Sequence, residues 1–206
     1  MEQQYHSPTV FRYNLNAFLS ALKSTVDFIR LDLEKVGLAS WWTERSSEFK
    51  GDRILSGFTI GRNIALHQRE VVEGSHLEVG LFRGRRMKLV ITAEDGTART
   101  SEELLQAAKP AAYKIFIAEE HSAVGEQLGV LRLYYSKDIS EVDHVAAASA
   151  KALARLTQAM SAAHEQLGFI YDPISEEDIA SPTRIAQITV LLESDVDPDL
   201  PKEWGW

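Results

Sequence analysis

The chain has 206 residues, 45% hydrophobic and 25% charged, with a formal net charge of -8 and no cysteine. That length supports one sizeable core, or one core with an added subdomain, in an ordinary globular protein. The absence of cysteine excludes disulfides, thiol nucleophiles and thiolate metal sites, and the net negative charge argues against broad nonspecific nucleic-acid binding, because counterion release needs cations facing the phosphates.

No apolar run reaches the roughly 18 to 20 residues needed to cross a bilayer, and Met1-Glu2-Gln3-Gln4-Tyr5-His6 lacks the layout of a signal peptide. A cytoplasmic protein without membrane association is the expectation.

In chain order, Ser7-Pro8 is a helix entry, since proline fits a first turn and serine caps it. Phe11, Leu15, Phe18, Leu22, Thr25, Ile29, Leu33 and Val36 then recur in steps of four and three, one stripe of a long helix ending at Gly37. A shorter segment over 40–49 carries Trp41, Trp42 and Phe49. Gly51-Asp52 offers a break and an N-cap for a third helix to about residue 72, with Ile54, Leu55, Phe58, Ala65 and Leu66 available for packing.

The period then changes from helical to strand-like. Residues 76–82 and 87–92 alternate around Arg83-Gly84-Arg85-Arg86 and read as a hairpin with a basic turn. A short helix over 101–108 is expected to stop at Pro110, and 113–118 and 129–135 read as a second strand pair. Ser140-Glu141-Val142-Asp143 resembles a capping box, and Val142, Ala146, Ser149, Leu153, Leu156, Met160, Ala163 and Leu167 mark a last long helix with Gly168 as its C-cap. Beyond 169 the chain is acidic and proline-punctuated. Its one apolar run, 185–192, is either an edge strand or a docking segment.

One single domain, 1–206, is expected: a helical bundle from 8–74 and 138–168, an inserted β subdomain over 75–136, and an acidic C-terminal extension over 169–206. The fold class is α+β.

The chemically richest stretch is Arg62-Asn63-Ile64-Ala65-Leu66-His67. Arginine supplies a permanently charged fork for phosphate oxygens, and histidine moves protons near neutral pH. Such a pair suffices for metal-free RNA cleavage. The alternative is structural: Arg62 paired with Glu44, Glu48 or Asp52, and His67 and Asn63 in a buried hydrogen-bond network.

The long first helix with Phe11-Arg12-Tyr13-Asn14-Leu15-Asn16-Ala17-Phe18-Leu19, the tryptophan-containing segment, and Arg62-Asn63 with His67 together resemble the HEPN superfamily of helical-bundle proteins. The resemblance covers residues 11–67, and the helix over 140–168 by position. It implies an up-down bundle, here with an antiparallel sheet inserted between the third and last long helices. It also implies a homodimer in which two motifs form one composite site for metal-independent endoribonuclease activity, often in a toxin or phage-defence effector. Arg62 would hold the scissile phosphate, His67 would handle the proton and Asn63 would orient one of them. RNA is the implied substrate, with an antitoxin or regulatory protein as partner. No cofactor and no metal are implied. The alternative within the same family is a noncatalytic dimeric binding or regulatory protein.

Arg83, Arg85, Arg86 and Lys88 form a second candidate, an RNA-contact turn, against the alternative of a solvated edge that discourages aggregation. Glu119-Glu120-His121 reads as loop, and His76, His144 and His164 stand alone in the sequence. Trp41 and Trp42 offer rings on which a base could stack, against the favoured alternative of one packing inward and one lying at a dimer surface. Trp204 and Trp206 close the acidic tail.

Overall fold

Proline at position 8 opens a helix that the computed structural model carries to Lys35, and Gly37, at φ 81°, turns the chain out of it. The structure describes residues 2–96, 98–115, 117, 125–170, 172 and 174–203. Its elements are α1 (Glu2–Tyr5), α2 (Pro8–Lys35), α3 (Ala39–Gly51), α4 (Arg53–His67), β1 (Gly74–Arg83), β2 (Arg86–Asp95), α5 (Ser101–Ile115), β3 (Glu126–Tyr135), α6 (Val145–Gln166), α7 (Glu176–Ala180), α8 (Pro182–Thr189), β4 (Val190–Leu192), α9 (Glu193–Val196) and α10 (Leu200–Glu203). The fold is α+β with a four-stranded antiparallel sheet in the order β2-β1-β3-β4. Among the described residues no helix is long and apolar enough to cross a membrane.

The chain divides into two compact units: 12–73 with 135–181, which is helical, and 1–11 with 74–134 and 182–206, which holds the sheet. In the helical unit the apolar stripe of α2 buries Leu15, Leu19, Leu22 and Leu33. Leu33 packs with Trp42 and Ala163, and the half-buried Trp41 joins the same cluster. Phe18 meets Phe58 edge to face at 5.6 Å between ring centroids, which ties α2 to α4. Alanines at 148, 152, 154, 159 and 163 keep the buried face of α6 small.

In the sheet unit, β1 and β2 close through a two-residue turn in which Gly84 has φ 54° while Arg85 does not take a positive φ. Glycine at the first central position is the requirement of a II′ hairpin turn. Leu77, Val79, Leu128 and Val130 form the buried sheet face, covered by Leu104, Leu105 and Ala112 of α5.

Three expectations need correcting, and a fourth, the edge strand within 185–192, holds in part. Residues 113–115 belong to α5, not to a strand, and the helix runs through Pro110. The lost backbone bond at the proline is outweighed by a stripe of Leu104, Leu105, Ala108 and Ala112 packed on the sheet. The remainder of that expected strand, apart from Ile117, lies outside the described residues. Ser140 does not start the last helix: its hydroxyl accepts from the Val142 and Asp143 amides at 3.3 and 3.0 Å in a preceding turn, and His144 caps α6 through Nδ1 and the Ala147 amide at 3.4 Å. The third helix stops at His67 rather than near 72. The apolar run 185–192 is split, its first part in α8 and its last three residues forming β4, an edge strand paired with Gly129–Leu131. Residues 182–203 thus return to the sheet unit.

Candidate functional site

The motif sits on α4, and two local features fix that helix. Asp52 accepts hydrogen bonds from the Ile54 and Leu55 amides at 2.9 and 3.0 Å through one carboxylate oxygen, while its other oxygen pairs with Arg155. A side-chain cap of this kind satisfies amides that have no helical partner. Gly57 and Gly61 then let the helix lie against Ile139. A Cβ on Gly57 would stand 2.2 Å from the Ile139 carbonyl oxygen, which no side chain tolerates.

With Gly57, Gly61 and Ile64 turned inward, the motif residues take up defined positions. Asn63 and His67 are exposed and Arg62 is half-buried. On an α-helix Asn63 and His67 stand about 40° apart, whereas Arg62 and His67 stand about 140° apart. The structure therefore places Asn63 and His67 on one open face and Arg62 on another.

None of the carboxylates considered for Arg62 is its partner. Glu48 pairs with Arg45 at 2.5 Å, and Asp52 is taken by Arg155 and the helix cap. Among the described residues the Arg62 side chain makes no hydrogen bond or ion pair, and its Nε is shielded from solvent. Its neighbours beyond the helix end are committed. Arg12 pairs with Glu70, and Arg69 reaches Asp138 at 2.7 Å, so the chain leaving His67 is pinned to α2 and to the turn before α6.

The hairpin cations behave differently from one another. Arg83 pairs with Glu126 at 2.8 Å. Arg85 forms a two-pronged bridge to Asp195 at 2.9 Å on both arms and also donates to the Val190 carbonyl, anchoring β4 and α9 to the hairpin. Arg86 and Lys88 are exposed and make no ion pair among the described residues. Two of the four cations are thus spent on structure. All four belong to the sheet unit, whereas Arg62, Asn63 and His67 belong to the helical unit.

Sequence reasoning missed a buried polar network in the sheet unit. Arg132 and Tyr134 are fully buried, with Arg132 Nη1 donating to the Tyr134 hydroxyl at 2.9 Å and Nη2 donating to the Arg99 carbonyl. Tyr134 donates in turn to the Tyr5 carbonyl at 3.1 Å and stacks on Phe11 at 3.8 Å. His6 bonds Ser101 Oγ at 2.9 Å, and burial, reinforced by the nearby Arg132 charge, lowers its pKa to about 3. The imidazole is neutral at physiological pH. A cavity of about 260 Å³ beside it is lined by His6, Thr100 and Glu102 among others. The signal available in the sequence was strand parity: Leu128, Val130, Arg132 and Tyr134 alternate, and all four point inward.

A buried carboxylate, Glu193, accepts from the Tyr113 hydroxyl, from the Leu128 amide at 3.0 Å and from Lys109 at 3.1 Å. Burial, and then the Glu193 charge, push the Tyr113 phenol up.

Among the described residues no group of three or more metal-ligating side chains is assembled. His76 is held between Asp95 and Glu78, whose hydrogen bonds raise its pKa, and burial lowers that of His144. Glu119, Glu120 and His121, as well as Trp204 and Trp206, lie outside the described residues.

The helical unit also contains an apolar groove of about 320 Å³ bounded by α2, α3, α4 and Leu156 of α6. It too was invisible in the sequence, because four separate helices supply its walls.

The chain matches no family model, no curated protein and no solved structure, so its site is read from its own residues.

Proposed function

We propose that the protein is a HEPN-like, metal-independent endoribonuclease, acting as a toxin or phage-defence effector. In this reading two copies pair so that Arg62 and His67 meet at one composite site. The observation that carries it is the guanidinium of Arg62, which makes no ion pair among the described residues while Arg12 and Arg69, near the end of its helix, do. A cation kept from carboxylates is ready for phosphate.

The chemistry follows from the residue types. Arg62 offsets charge on the phosphate oxygens as the ribose 2′-oxygen attacks phosphorus, and the bond to the 5′-oxygen breaks. His67 handles the proton that passes from the 2′-hydroxyl to the leaving 5′-oxygen, help that typically contributes about 10²- to 10⁴-fold. Asn63, on the same face as His67, orients the phosphate or the imidazole. Arg86 and Lys88 are the hairpin cations open to an RNA backbone. An antitoxin or regulatory protein would act by covering α4.

A noncatalytic HEPN-like dimer that binds a partner is the second reading. It is favoured by the separation of about 140° between Arg62 and His67, which keeps them off one face of a single copy.

Product chemistry tests the proposal. Single-stranded RNA incubated with the protein and a chelator is expected to yield 2′,3′-cyclic phosphate and 5′-hydroxyl ends, with DNA left intact for want of a 2′-hydroxyl. RNA that stays whole, or 3′-hydroxyl ends that need a divalent ion, would contradict it.

A further inference from the structure

The groove in the helical unit has the composition of a ligand site. Leu22, Leu55 and Leu156 line it and are each below a tenth exposed, with Val26 and Phe49 beside them and Ile60 at 49% exposure. Pockets of a few hundred Å³, mainly apolar with a few polar groups, are where small molecules bind.

The charges at the groove are one-sided. Lys23 and Lys50 line it, and no acidic residue does. Lys23 is balanced by Asp27 one turn away on α2. Lys50 is exposed and makes no ion pair among the described residues. The Thr59 hydroxyl is already spent on the Leu55 carbonyl at 3.0 Å. A nucleobase seated against the leucines would leave its polar edge unpaired, and a cationic ligand would meet only ammonium groups.

We propose that this groove binds a single-chain amphiphile with an anionic head, its chain lying along Leu22, Leu55 and Leu156 and its head at Lys50. The site is independent of the ribonuclease reading. Ser56, Thr59 and Ile60 nevertheless line it from α4, so an occupant touches the helix that bears Arg62 and His67.

The test is calorimetric titration of the full chain with monomeric dodecanoate and, separately, with dodecyltrimethylammonium, a probe of equal chain length and opposite charge. Dodecanoate is expected to bind with one-to-one stoichiometry and the cationic probe about tenfold or more weakly, as a charge-assisted contact dictates. Lys50→Glu should abolish that preference. Thr59→Trp, at an exposed position, should fill the groove and remove dodecanoate binding while circular dichroism reports unchanged helix; Ser56→Phe does the same from the neighbouring turn. Equal affinity for the two probes, absence of dodecanoate binding, or binding that persists in both groove-filling variants would overturn the proposal. None of these outcomes bears on RNA cleavage.

Discussion

Arg62 shows why a residue must be judged by the partners it lacks as well as by its type. A buried donor left without an acceptor costs about 1–3 kcal/mol, and the Arg62 Nε is shielded from solvent without one among the described residues. Arg62→Met is therefore expected to leave stability unchanged or raise it by up to about 1 kcal/mol, read from urea unfolding, while cleavage is lost. A structural arginine would do the opposite. Arg62→Lys keeps the charge but not the fork and should fall between wild type and Arg62→Met in cleavage rate.

His6 is the contrasting histidine. Its folded pKa of about 3 lies below the ordinary imidazole value of 6.5, so the unfolded chain takes up the proton first. The stability contributed by neutral His6 is fully present above about pH 6.5 and is lost as pH falls toward 3. His6→Phe should flatten the decline in urea midpoint between pH 7 and pH 5; an unchanged slope would show that other groups set it. Asp195, Arg85 and Arg132 all act on His6, and their charges belong to the same measurement.

Elements were legible where one period ruled. The stripe from Phe11 to Leu33 gave α2 its length, and Gly84 gave the hairpin its turn. Where two periods overlapped the reading failed. Tyr113, Ile115 and Ile117 alternate like a strand, yet Leu104, Leu105, Ala108 and Ala112 hold the segment helical, because packing on a sheet outweighs local preference. Ser140 carried a genuine turn signal, and only its helix was misplaced, its N-cap lying four residues on at His144.

At this scale α4 supplies the sharpest prediction. Gly57→Ala forces a Cβ onto the Ile139 carbonyl and should cost about 1–3 kcal/mol or more, whereas Gly51→Ala, with open space around it, should cost far less. Thermal unfolding of the two variants side by side checks this. Asp52→Ala removes the cap and leaves Arg155 unpaired, with an expected loss of about 1–2 kcal/mol.

For the molecule as a whole, the sequence indicated helices flanking a sheet and left the chain's end open between an edge strand and a docking segment. Three residues, Val190–Leu192, are too few for a periodic signal, and their attachment depends on distant partners. Arg85 grips Asp195, Glu193 receives the Leu128 amide, and Gln127 accepts from the Ser194 amide at 2.9 Å. Deleting 182–206 should expose the β3 edge, so that hydrogen exchange at Gly129–Leu131 accelerates sharply. Unchanged protection there would mean that β4 contributes little. The motif was readable because Arg62 and His67 are close in sequence, whereas the groove and the Arg132 network were not, since they exist only after distant segments meet.

The measurement that bears most directly on the ribonuclease account is the rate at which one single-stranded RNA is cut, in chelator, by wild type, Arg62→Ala and His67→Ala, each verified as folded by circular dichroism. Wild type should cut and each substitution should slow it by about 10²- to 10⁴-fold. Equal rates in all three, or no cutting by wild type, would contradict the account.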